Sequence, residues 1–91
     1  MGLGRRGPTA DTFCGHTAKV NSVCVSEHGD CVVSGGADRS VRLWRISMRE
    51  CFKVLAGHDD EVTAVCISSN SSTLASASKD KTIRTYRVHT V

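Results

Sequence analysis

One proline, one tryptophan, one tyrosine and two phenylalanines are all the rigid or large ring residues this chain holds. A core must therefore rest on Val, Ile, Leu, Ala and Cys. No stretch is long and apolar enough to cross a membrane as a helix. The opening MGLGRRGP has charge but no apolar stretch behind it, which excludes a secretory signal. Gly2 follows Met1, yet Arg6 stands where myristoylation asks for Ser or Thr. Gly2, Gly4 and Gly7 lack the preceding strand and following helix of a phosphate loop. A strong charge of one sign is missing too: 12 basic and 9 acidic residues leave +3. That is too mild to argue for nucleic acid as a partner.

The five cysteines, Cys14, Cys24, Cys31, Cys51 and Cys66, form no Cys-x-x-Cys pair. Only Cys14-x-His16 brings Cys and His near each other, whereas zinc sites place their ligands in close pairs. The expected metal and cofactor content is none. Most of these cysteines lie in alternating apolar runs, as small buried hydrophobes of a reducing compartment would. That places the chain inside the cell, in cytoplasm or nucleus. Asn70-Ser71-Ser72 fits a glycosylation acceptor but reads most simply as a turn.

What the sequence does have is a repeat. SGGADRSVRLWR (Ser34 to Arg45) returns as SASKDKTIRTYR (Ser76 to Arg87), 42 residues later. Gly15-His16 returns as Gly57-His58 at the same offset. Val20, Val23, Cys24 and Ser26 return as Val62, Val65, Cys66 and Ser68. No insertion or deletion interrupts the match. Each unit reads as short strands rich in β-branched residues, parted by turn residues. The first unit has strands at Val20 to Val25, Cys31 to Gly35, Ser40 to Arg45 and Cys51 to Leu55. The second has them at Val62 to Ile67, Thr73 to Ala77 and Thr82 to Arg87.

Gly-His near the start, Asp 22 residues after His and an aromatic six residues later, twice over, resembles the WD-repeat (tryptophan–aspartate) family. The resemblance covers Thr9 to Tyr86. It implies an all-β fold of two four-stranded antiparallel blades, a partial β-propeller whose second blade is incomplete. It also implies a structural hydrogen-bond chain in each blade: His16, Ser34, Asp38 and Trp44, then His58, Ser76, Asp80 and Tyr86. In it Asp38 accepts from His16, which accepts from Ser34, which accepts from the Trp44 indole. Tyr86 ends in a hydroxyl rather than an indole N–H, so the second chain is expected to be looser. Leu43 becomes Thr85, which removes apolar bulk. The Trp-Asp dipeptide is Trp44-Arg45 here, and Tyr86-Arg87 in the second unit.

Residues 1–8 read as a disordered tail and 9–13 as the fourth strand of a preceding blade that this chain lacks. The first repeat is 14–55, and 56–91 is a truncated second. That phase would let an N-terminal strand close a ring against the last blade. Closed propellers have about four to eight blades, so the chain reads as a fragment or short isoform of a longer protein. Two blades leave both outer faces bare. The chain alone is thus expected to oligomerise, to join further blades in cis or trans, or to stay partly unfolded.

The resemblance implies a non-enzymatic interaction scaffold for proteins or peptides. The candidate surface is the loop end with Thr17, Ala18, Lys19, Ala37 and Arg39 from the first unit. The second adds Asp59, Asp60, Glu61, Lys79 and Lys81. His58, Ser76 and Asp80 invite a hydrolase reading. Their recurrence at a fixed period favours a structural role, and no Gly-x-Ser-x-Gly turn is present. A nucleic-acid role would use Arg39, Arg42, Arg45, Lys79, Lys81, Arg84 and Arg87, but acidic loop residues offset them and stacking aromatics are few. A substrate receptor of a ubiquitin ligase is a further alternative, which the absent Asp after Trp44 and Tyr86 does not favour.

Overall fold

A computed structural model describes residues 11–70 and 72–88. All regular structure among them is β-strand. Sheet 1 is a four-stranded antiparallel meander of β1 (Val20–Val25), β2 (Cys31–Gly36), β3 (Ser40–Arg45) and β4 (Glu50–Ala56). Sheet 2 repeats it with β5 (Val62–Ile67), β6 (Thr73–Ser78) and β7 (Ile83–Arg87). The two sheets are the expected blades, and the second has three described strands. The proposed tail at 1–8 and residues 9 and 10 lie outside the described residues. Residues 11–13 carry no strand, and a fourth strand there would need the edge of a neighbouring sheet to pair with.

The turns explain where the strands stop. Gly29 has φ 73° in the β1–β2 turn, a conformation glycine adopts without strain. Arg39 and Lys81 have φ 71° and 74° at matching positions of the β2–β3 and β6–β7 turns. Asp38 and Asp80 precede them and accept the N–H groups of Ser40 and Thr82, at 3.1 and 2.9 Å. β3 begins at Ser40 because Ser40 pairs with Ala56 of β4. β7 begins at Ile83, one residue later than the sequence suggests, since no described fourth strand holds Thr82. The repeat extends to irregularities: the register slips between Val20 and Ser22, and again between Val62 and Ala64.

The core lies between the sheets. Val33, Val41 and Leu43 of sheet 1 pack with Val62, Val65 and Leu74 of sheet 2. Strand alternation puts Val32, Ser34 and Trp44 on the other side of sheet 1. There the Phe13 ring meets Trp44 edge-on, with centroids 5.7 Å apart. Of the cysteines only Cys31 is buried; Cys14 and Cys66 are exposed. The expectation of mostly buried thiols fails: Cys14 lies before β1 outside any strand, and the outer side of sheet 2, where Cys66 sits, has no neighbour among the described residues. All five cysteines are free, and among the described residues no group of His, Cys, Asp and Glu is placed to hold a metal.

Candidate functional site: the hydrogen-bond chains and the loop end

The first chain runs without a break. His16 Nδ1 lies 2.9 Å from Asp38 Oδ2 and His16 Nε2 lies 2.6 Å from Ser34 Oγ. Trp44 Nε1 donates to Ser34 Oγ at 2.8 Å. With Nδ1 protonated, His16 donates to the carboxylate and accepts the Ser34 hydroxyl, so each group has a partner. Asp38 is a hub: its Oδ1 also accepts the Ser40 hydroxyl at 2.7 Å and its Oδ2 the Thr17 N–H at 3.0 Å. The chain thereby ties the loop before β1 to β2 and β3. Gly15 makes room for it, since a Cβ there would lie 2.7 Å from the Trp44 ring.

In the second chain the same first steps form. His58 Nδ1 is 3.1 Å from Asp80 Oδ2, and His58 Nε2 is 2.7 Å from Ser76 Oγ. Asp80 accepts the Thr82 hydroxyl and the Asp59 N–H, the latter at 3.0 Å. The last step is missing. Among the described residues the buried Tyr86 hydroxyl has no hydrogen-bond partner, and Arg42 Nε shares that condition. A phenol places its polar atom beyond the point where an indole N–H reaches Ser76.

Both carboxyls are held far below the ordinary carboxylate range. At Asp38 burial pushes upward, but hydrogen bonds from Ser40, His16 and the Thr17 N–H outweigh it. At Asp80 the Thr82 hydroxyl is the largest cause; burial opposes it, and the Asp59 N–H and His58 add to it. Ser40 and Thr82 were not singled out from the sequence. Their signal was available: a hydroxyl two residues after Asp, at the 42-residue offset, in both units.

The loop end shows uneven engagement of its charges. Lys79 Nζ pairs with Glu61 Oε2 at 3.4 Å, and Asn21 Nδ2 donates to Glu61 Oε1 at 3.2 Å. These partners lower the Glu61 carboxyl, Asn21 first and Lys79 next. Asp60 Oδ1 accepts the Glu61 N–H. Among the described residues Lys19, Arg39, Asp59, Asp60 and Lys81 take part in no ion pair. Away from this end, Arg45 lies over the Phe52 ring at 4.7 Å. Arg42 and Arg84 crowd Gly15 and Gly57, each with Nη1 3.2 Å from where a glycine Cβ would be. The basic residues of β3 and β7 are thus spread among separate packing roles.

The family model for the WD domain, G-beta repeat, matches residues 7–45 and 49–87. This chain belongs to the WD-repeat family. It is 48% identical over 40 residues to WD repeat-containing protein pop2 of Schizosaccharomyces pombe, covering 44% of this chain and 5% of that protein. It is 40% identical over 42 residues to the Arabidopsis thaliana ribosome biogenesis protein BOP1 homolog, covering 46% and 6%. With mouse WD repeat-containing protein 18 it shares 36% identity over 47 residues, covering 52% and 11%. The aligned part is thus a small portion of each of these relatives. WD repeats generally serve as scaffolds for protein–protein interaction.

Proposed function

We propose that the chain is a non-enzymatic scaffold inside the cell, in cytoplasm or nucleus, and forms two blades of a longer propeller. Its loop end, with Lys19, Arg39, Asp59, Asp60, Glu61, Lys79 and Lys81, receives a protein or peptide partner. The observation that carries this reading is the pairing of rigid loops with free charges. Asp38 and Asp80 pin the loop backbones through the Thr17 and Asp59 N–H groups. Arg39 and Lys81 sit exposed at the tips of the adjoining turns. A fixed backbone lowers the ordering cost of binding, and mixed charge suits a polar protein surface.

A hydrolase reading finds less support. Ser76, the nucleophile such a reading needs, is 1% exposed, which shuts a substrate out. The same His–Ser–Asp geometry also occurs in both units, as a blade requires. The nucleic-acid reading loses its continuous basic stripe, because Lys79, Arg42, Arg84 and Arg45 have separate intramolecular contacts. No observation favours a substrate receptor of a ubiquitin ligase.

Affinity capture with the wild-type chain and with Arg39→Glu/Lys81→Glu tests the surface. The expected result is loss of the captured partner with secondary structure intact; unchanged capture by the folded variant would overturn it. A salt titration with RNA and DNA separates the alternative, since phosphate contacts weaken steeply with salt.

A further inference from the structure

The junction between the two sheets shows what a blade-to-blade contact in this chain requires. At one close approach Gly35 faces Val62 and Val65. A Cβ on Gly35 would lie 2.5 Å from a Val62 methyl carbon and 2.9 Å from a Val65 one. Polar hooks reinforce the contact. Asn21 Nδ2 donates to Val62 O at 2.9 Å, and the Ser22 hydroxyl accepts the Val65 N–H at 3.3 Å.

The other side of sheet 2 is bare among the described residues. At the 42-residue offset it carries Ala77 for Gly35, Ala64 for Ser22, Ala75 for Val33 and Thr85 for Leu43. An apolar hollow of about 230 Å³ lies there, bordered by Cys66, Ala75, Ala77 and Ile83. Ile83 is 75% exposed, while its counterpart Val41 is 0% exposed.

Sheet 1 has the matching side, where Phe13 covers Trp44 but two valines stay exposed. Val20 and Val23, 47% and 62% exposed, correspond to Val62 and Val65 at 0% and 9%. A second copy would therefore offer the same two valines to sheet 2. Ala77 puts a methyl group where the junction has room for none. Ala64 has no hydroxyl to accept the Val23 N–H. Thr63, in place of Asn21, already donates its hydroxyl to Ala77 O at 3.3 Å. Where Ala75 leaves the hollow, a copy brings Val32 instead of the larger Leu74. A copy is too large at one layer and too small at the next.

We propose that the bare side of sheet 2 is shaped against a second copy and selects a β-sheet of different sequence. That partner sheet carries Gly, Ala or Ser facing Ala77 and a bulky aliphatic side chain that enters the hollow over Cys66 and Ala75. The proposal rests on the reading of the chain as propeller blades. Ala77 is the specificity-determining residue.

Sedimentation of the full chain over a concentration series tests it, with the chain itself as the probe. Two variants relieve the mismatch from opposite sides: Ala77→Gly, and Val20→Ala with Val32→Leu. Both are expected to associate at least about tenfold more tightly than the wild type, the scale on which an overpacked contact acts. Adding Val23→Lys should abolish the gain. Wild-type association as tight as that of the variants, and lost with Val23→Lys, would make a second copy the occupant and overturn the proposal. So would a folded variant that gains nothing. Thiol labelling reports folding, because Cys31 is buried and Cys14 exposed. If one variant loses Cys31 protection, the other decides. Cys31 as reactive as Cys14 in the wild type and both variants would overturn the blade reading as well. Protected Cys31 with equal association throughout would overturn this proposal alone.

Discussion

Sheet 1 buries Trp44 and closes its hydrogen-bond chain; sheet 2 half-buries Tyr86 and leaves its hydroxyl without a partner among the described residues. Sheet 1 also has Val33, Val41 and Leu43 covered by sheet 2, whereas their counterparts Ala75, Ile83 and Thr85 face outward. The two units share turns, bulges and carboxylate hubs at one fixed offset. The features they share are local, set by residues near each other in a turn or strand pair. The features that differ depend on what lies against the sheet. A repeat can therefore keep its frame while its faces diverge toward different neighbours.

The sharpest way to break this comparison is to exchange the residues at one layer. Leu43 is fully buried, so Leu43→Thr removes apolar contacts and buries a hydroxyl, at a cost of about 3 kcal/mol. Thr85→Leu adds the same bulk to an exposed position and should change stability by no more than roughly 0.5 kcal/mol. Urea denaturation of the two variants measures both. Similar effects would mean that the two layers are equally covered.

The carboxylate hubs give a smaller contrast. Asp38→Ala strands the His16 Nδ1–H, the Ser40 hydroxyl and the Thr17 N–H, and should cost about 2 kcal/mol. Asp80→Ala strands the equivalent groups of a chain that is already incomplete. It should cost less, because Ser76 lacks the indole donor that helps fix His58. Chemical denaturation again decides, and a larger loss for Asp80→Ala would reverse the ranking.

Acid reaches the same groups more gently. Both carboxyls are lowered on folding from an ordinary value of 3.8. Their stabilisation is therefore fully present above that value and fades as pH falls below it toward the folded-state values. Asp38→Asn/Asp80→Asn should lack this contribution. The stability gap between wild type and double variant is expected to be constant above about pH 5 and to narrow toward about pH 2. A gap that stays constant through this range would show that the carboxylates titrate alike in folded and unfolded chains.

Much of this was legible in the residues. The offset placed β1, β3 and β5 at their observed bounds, because Val, Cys and Ile alternation is broken there by Glu27, Arg39 or Ser69. The components of the hydrogen-bond chains came from the resemblance to the WD-repeat family, carried onto matching positions of the two units. What escaped was relational. Nothing local to Gly35 says that Val62 packs against it, and nothing local to Asn21 says that it reaches the next sheet. Cys66 shares Cys24's pattern, yet its exposure depends on a missing neighbour. The missing partner of Tyr86 depends on where a phenol oxygen ends, which only three-dimensional placement determines.

That hydroxyl supplies the smallest and most discriminating test. A buried tyrosine usually loses stability when changed to phenylalanine, because a hydrogen bond goes with the oxygen. Here the Tyr86 oxygen is shielded from water and bonds to none of the described residues, so its desolvation is uncompensated. Tyr86→Phe removes that burden and keeps the ring in the core beside Leu74. It should leave stability unchanged or raise it by up to about 1 kcal/mol. Tyr86→Trp makes a stronger demand. In sheet 1 the indole ring fits over Gly15 and reaches Ser34; Gly57 offers the same absence of a Cβ beside the Tyr86 hydroxyl. The indole should then donate to Ser76 Oγ and complete the second chain, for a gain of about 1 kcal/mol. Thermal melts of the three forms give the order Trp, then Phe, then wild type. A clear loss in Tyr86→Phe would mean that the hydroxyl has a partner after all, and the contrast between the two sheets would shrink to their exposed faces.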